Sequence, residues 1–252
     1  MKITNAAWEK YIKTLRSLND AAAKDVETFM KALRKRAIAG EITSDEAADA
    51  LIDYAYSIAT KYGEGGAAAS CEMYDAIAAL SKQTVPPAVP ADTASYSDVR
   101  KAVYGTQSMD PSVTSGAISR LVKMAAVDTM MQNALRDGAE WAWIPHGDTC
   151  AFCLTLASRG WQTASKDAIK NGHAEHVHAH CDCTYAVRFD DSTDVDGYDP
   201  DGLLDEYYAA EGNTPQERIN SMRRAAYSKN ADRINAQKRA AYARRVERET
   251  ET

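Results

Sequence analysis

The chain has 252 residues, 45% of them hydrophobic but only 8% aromatic, and carries a net charge of −6. It is long enough to bury a real core, and alanine supplies much of its apolar content, as in long helices packed closely together. The acidic balance gives no whole-chain case for nucleic-acid binding, and no run approaches the roughly 18 apolar residues of a membrane span.

The opening residues, MKITNAAWEKYIK, lack the apolar stretch of a signal peptide. A reducing cytoplasm is therefore the expected place of synthesis, and there clustered cysteines mean metal more often than disulfide. From Thr4 to Ala39 there is neither Pro nor Gly. Trp8, Leu15, Leu18, Val26, Phe29 or Met30, and Leu33 recur at the spacing of one helix face. Gly40 suits the stop. Thr43 with Glu46 forms a capping-box pattern that opens a second helix to Tyr62. Gly63, Gly65 and Gly66 predict a break or kink before helix resumes over 67–81. Cys71 reads as a small core residue.

Residues 84–97 hold Pro86, Pro87 and Pro90 and read as a linker or extended arm. A short helix is expected at Asp98–Tyr104, and Pro111 opens another long one through Leu121, Met124, Val127 and Leu135. Trp141, Trp143 and Ile144 then alternate as in a short strand, and Thr184–Phe189 is the second strand candidate. Residues 190–211 carry nine acidic side chains and no basic one, which predicts a solvated loop ending in a short amphipathic helix. Residues 215–252 invert the charge, with ten Lys/Arg against five Asp/Glu. Their apolar stripe is too thin for a stable lone helix, so a helix there needs a partner.

The expected fold is mainly α. It has a long-helical N-terminal region, a small α+β zinc-knuckle module and a C-terminal helical tail. The expected divisions are a helical hairpin region (1–83), a proline-rich linker or arm (84–97) and a long helix (98–138). After these come a zinc-binding module (139–190), an acidic connector (191–214) and a basic helical tail (215–252).

All five histidines and four of the five cysteines fall between His146 and Cys183. Cys150 and Cys153, spaced C-x2-C, can grip a tetrahedral ion from one tight turn, and His178, Cys181 and Cys183 form a second knuckle. His178 with Cys181 is the favoured completing pair, and Cys183 is the first substitute. Four protein ligands would make a closed, structural Zn2+ site with no open position for water. Four rival readings are weaker, the first of them chance clustering of buried His and Cys in a small core, for which histidine at alternate positions in HVHAH is an odd filling. His173-Ala174-Glu175 spells the H-x-E of zinc deaminases, but there the cysteine pair follows the H-x-E, and Thr149 replaces the proline. A disulfide lacks a sign of secretion. An HNH-type nuclease could use the surplus histidines to activate water, but no following helix supplies a convincing Asn or second His.

At Asp148–Cys153, Leu156–Gly160 and His178–Cys183 the chain resembles the Mu-F-like minor head proteins of tailed bacteriophages. Their hallmark is C-x2-C followed some twenty to thirty residues later by H-x2-C-x-C. The match is specific over 141–190, looser over the helical N-terminal part, and does not extend to the tail. His173 and His176 are additions to the simplest pattern. The resemblance implies a non-enzymatic virion component of the phage head, assembled in the host cytoplasm. It would contact the portal and/or the major capsid protein and act in head morphogenesis, with DNA ejection a further role. The basic tail would meet packaged double-stranded DNA through its phosphates. The competing class is a zinc-knuckle HNH-type nuclease or a toxin-like protein acting on DNA.

Overall fold

The computed structural model describes residues 2–107, 110–146, 150–165, 183–233, 235, 236, 238–240 and 242. Helix α1 spans Asn5–Ile38 and is capped by the Thr4 side chain, which accepts from the Ala7 N–H. Its apolar face buries Trp8, Tyr11, Ile12, Leu15, Val26 and Leu33, while Leu18 is half-buried. Gly40 takes φ +72° just past its end, a conformation that L side chains resist. Helix α2 spans Ser44–Leu80, with the capping box of Thr43 and Glu46 formed in both directions.

The expected break at the three glycines does not occur, and α2 runs through them without interruption. Their role is close approach. A Cβ on Gly63 would come within 3.0 Å of Thr93 Cγ2, and one on Gly66 within 3.4 Å of Ala126 Cβ. On Gly65 it would meet Leu18 Cδ2 at 3.3 Å. Each glycine costs a helix about 1 kcal/mol relative to alanine. Here that cost is set against tighter packing between helices.

Helix α3 spans Tyr96–Thr106, and α4 spans Pro111–Asp137, with Asp110 as cap and Pro111 in the first turn. α4 packs on α1, α2 and α3, so the first two helices share a bundle with it. Val26, Ile52, Ala55, Val99, Val103 and Ile118 meet in the core. Much of α4 is buried on more than one side, including Thr114, Lys123, Thr129 and Asn133. Cys71, expected in the core, is only partly covered.

The proline-rich arm is extended and is strapped to α4. Thr129 Oγ1 accepts from Ala91 N–H, and Asn133 accepts from Val89 N–H and donates back to its carbonyl. Arg136 donates to the carbonyls of Pro86 and Pro87. The prolines remove donors that the arm would otherwise have to satisfy.

A three-stranded sheet, ordered β3–β2–β4, comprises β2 Glu140–Ile144, β3 Gln162–Thr163 and β4 Thr184–Arg188. Trp141, Trp143, Tyr185 and Val187 are buried in it. The acidic segment departs from expectation, because it is not solvated throughout. β5 (Asp194–Val195) pairs in parallel with β1 (Lys2–Ile3), and Thr193, Val195 and Tyr198 are buried. Residues 1–148 with 160–198 form one compact unit.

Residues 149–159 with 199–252 form a second unit. It contains α5 (Ala151–Ala157), α6 (Pro200–Ala209) and α7 (Pro215–Lys229). The thin stripe of the tail finds its partner here: Ile219 and Met222 bury against Ala151, with Phe152, Leu154 and Tyr207 around them.

Asp128, on α4, lines a cleft of about 590 Å³ together with Asp92, Asp98, Lys101 and Arg120. Burial raises its pKa from 3.8 to about 6. Between these values the folded chain holds the extra proton, so stability falls as pH rises towards 6. Asp128→Asn should therefore gain about 2 kcal/mol near neutral pH and almost nothing below the unfolded pKa. Urea unfolding at the two pH values measures this, and an equal gain at both would contradict it.

Candidate functional site

The His/Cys window lies in sequence between the paired strands β2 and β4. The strands pair antiparallel from Glu140↔Arg188 to Ile144↔Thr184, and the 39 residues between Ile144 and Thr184 include β3, which pairs with the other end of β2 at Glu140 and Trp141. Cys183 directly precedes the closing pair and is fully buried. His146 lies two residues beyond the other partner, on the α1 surface, lining a depression with Lys13, Arg16 and Asp20. Inside the sheet, Tyr185 meets Trp141 and Trp143 edge-on at 4.8 and 4.6 Å. Such rings fix the strands through contact area and complementary edge-to-face electrostatics.

The far end of the ladder is locked by Arg188. Its Nε donates to Glu140 Oε2 at 2.7 Å, Nη2 donates to Asp191 Oδ1 at 3.0 Å, and the guanidinium lies 4.8 Å from the Trp161 ring centroid. Trp161 in turn donates to Asp194, next to the β1 pairing. This network was not foreseen in the sequence. Its only early signal was an arginine ending a strand just before a run of acids.

Cys150 and Cys153 fall on the first turn of α5, in the second unit. They stand three residues apart, Cys150 as the N-cap and Cys153 inside the helix. Cys153 is buried and Cys150 is half-exposed. Cys150 occupies the N-cap but makes no capping bond with its side chain. At the other helix starts Thr4, Thr43, Ser95, Asp110, Asp199 and Thr214 all accept from a backbone N–H. Sulfur in place of a capping oxygen forgoes about 1 kcal/mol, so this position is poorly explained by helix stability alone.

Of the five predicted ligands, Cys150 and Cys153 lie three residues apart at the start of α5, and Cys183 is buried just before β4. His178 and Cys181 lie outside the described residues, as do His173, His176 and His180. No three His, Cys, Asp or Glu side chains form a metal-binding group among the described residues. Cys71, Cys150, Cys153 and Cys183 are outside any disulfide. No described helix is long and apolar enough to cross a membrane.

Arg188→Ala should cost about 2 kcal/mol, since it removes two charge-assisted bonds and a cation–π contact from a largely covered side chain. Amide exchange along β2 and β4 should quicken with it. Unchanged urea unfolding and exchange would show that the ladder is held elsewhere.

The family model described as VG15 protein matches residues 2–210 of the chain. No curated protein and no solved structure matches the chain.

Proposed function

Since the chain belongs to the VG15 protein family, a family of phage proteins, we propose that it is a structural minor head protein of a tailed bacteriophage. It acts in head morphogenesis, contacts the portal and/or major capsid protein, and resides in the virion without catalytic activity. The observation that supports this reading is the C-x2-C pair at the start of α5, in the stretch of sequence that runs from β2 to β4. That arrangement supports the likeness to Mu-F-like proteins already seen in the residues.

Cys150 and Cys153 would hold a Zn2+ ion, completed by His178 and Cys181 with Cys183 as the substitute. Their chemistry suits zinc: two thiols stand three residues apart at a helix start, one of them at an N-cap without a side-chain capping bond. The ion would supply cross-linking and no reaction. Protein purified without chelator should contain about one zinc per chain, lost in Cys150→Ser and in Cys181→Ser together with stability. Zinc-free protein, or an intact Cys150–Cys153 disulfide from virions, would overturn this. DNA cleavage with added Mg, abolished by His180→Ala in a folded, zinc-loaded protein, would instead favour the nuclease.

The basic tail is proposed as the contact with packaged DNA. Arg223, Arg224, Lys238 and Arg239 are exposed on it, and phosphate contacts would need no base sequence. Residues Ile219 and Met222 cover α5, so deleting the whole tail would also disturb the cysteine turn. Neutralisation is therefore the cleaner experiment. Arg223→Gln with Arg224→Gln and Lys238→Gln should weaken binding to duplex DNA about tenfold at low salt and flatten its salt dependence, with zinc content unchanged. Equal binding by variant and parent would assign the tail to an acidic protein surface.

A further inference from the structure

The charges of this chain are segregated. Residues 1–38 carry nine Lys/Arg against four Asp/Glu, whereas residues 39–214 carry eleven against twenty-seven. Within the bundle this places opposite charge on neighbouring rods, since α1 is basic on its outer side and α2 holds seven acids and one lysine.

The two outer faces share a register. Lys13, Lys24 and Lys35 of α1 are eleven residues apart, and so are Asp53, Glu64 and Asp75 of α2. Eleven residues make three turns with a drift of only about 20°, so each trio stays on one face at steps of about 16.5 Å. All six side chains are exposed, opposite the buried side of their own helix. None of the six makes an ion pair among the described residues. Asp53 and Asp75 each accept one bond through Oδ1, from Tyr96 O–H and Ala88 N–H, which leaves the second oxygen for a partner.

From this complementarity we infer that copies of the chain associate, the outer face of α1 on one lying along the outer face of α2 on the next. Equal steps let three opposite charges meet three in a single docking. The contact is heterologous. Each copy keeps one face of each sign open, so the association closes into a ring or continues as a row. Exposed pairs are individually weak and screened by salt, so the association belongs to concentrated protein at low ionic strength, as where copies gather on an assembling particle. It is independent of the zinc and DNA roles proposed above.

The test is sedimentation equilibrium of the full-length protein at low and high salt, about 0.03 M and about 0.3 M. Concentration-dependent association is expected in the first and its loss in the second. Lys24→Glu and Glu64→Lys should each weaken it by about threefold or more. The exchange of both charges in one chain should bring it back towards the parent, because the two facing positions again carry opposite signs. Circular dichroism checks the fold of each variant, and the milder Lys24→Gln and Glu64→Gln substitute if a reversal unfolds. A parent that stays monomeric at low salt overturns the inference. So does a double exchange no better than the single changes. If Lys24→Glu reduces retention on duplex DNA yet leaves self-association intact, the lysine row serves a polyanion and the inference fails.

Discussion

Everything in the first unit leans on α4 having almost no solvated side. α1, α2, α3, the extended arm and β4 all pack against it. A helix in that position must solve two problems together: close approach to its neighbours and partners for its polar groups. Alanines at 125 and 126 opposite Gly63 and Gly66 solve the first. Thr129 and Asn133 solve the second by spending their side-chain bonds on the arm and on their own helix. The same residues that would be awkward in an isolated helix thus hold the proline-rich segment in place.

From this bundle the sheet inherits its position. Tyr74 of α2 shares its one hydroxyl proton between the Asn133 carbonyl and Asp137 at the end of α4, and its ring meets Phe189 just beyond β4. The C-terminal ends of α2 and α4 are thereby tied to the strand that closes the cysteine window. Arg188 then links that strand to Glu140, and Trp161 links it onward towards β5. Fold and candidate site are coupled through a few polar and aromatic contacts, while the apolar core sets the frame.

The window itself uses two anchors of different kinds. Cys183 sits at a strand start, where backbone pairing fixes its place. Cys150 and Cys153 sit on a short helix whose burial rests on Ala151, Ile219 and Met222. A seven-residue helix is too short to persist alone in water. Its cysteine turn therefore depends on residues more than sixty positions later in the chain.

Local chemistry was legible in the sequence wherever a residue acts on its near neighbours. Thr43 with Glu46, Asp110 with Pro111, the stop at Gly40, the alternating strand at Trp141 and Trp143 and the C-x2-C turn all follow from short-range geometry. Only the tertiary structure decided the rest. Gly63, Gly65 and Gly66 read as breakers because a sequence shows the cost of a glycine and hides the neighbour that approaches it. Val195 and Tyr198 read as solvated amid acids because pairing with Ile3 spans nearly the whole unit. The tail stripe looked unstable because its partner, α5, is a distant segment. In each case the missing quantity was a contact between remote residues, which periodicity and propensity do not encode.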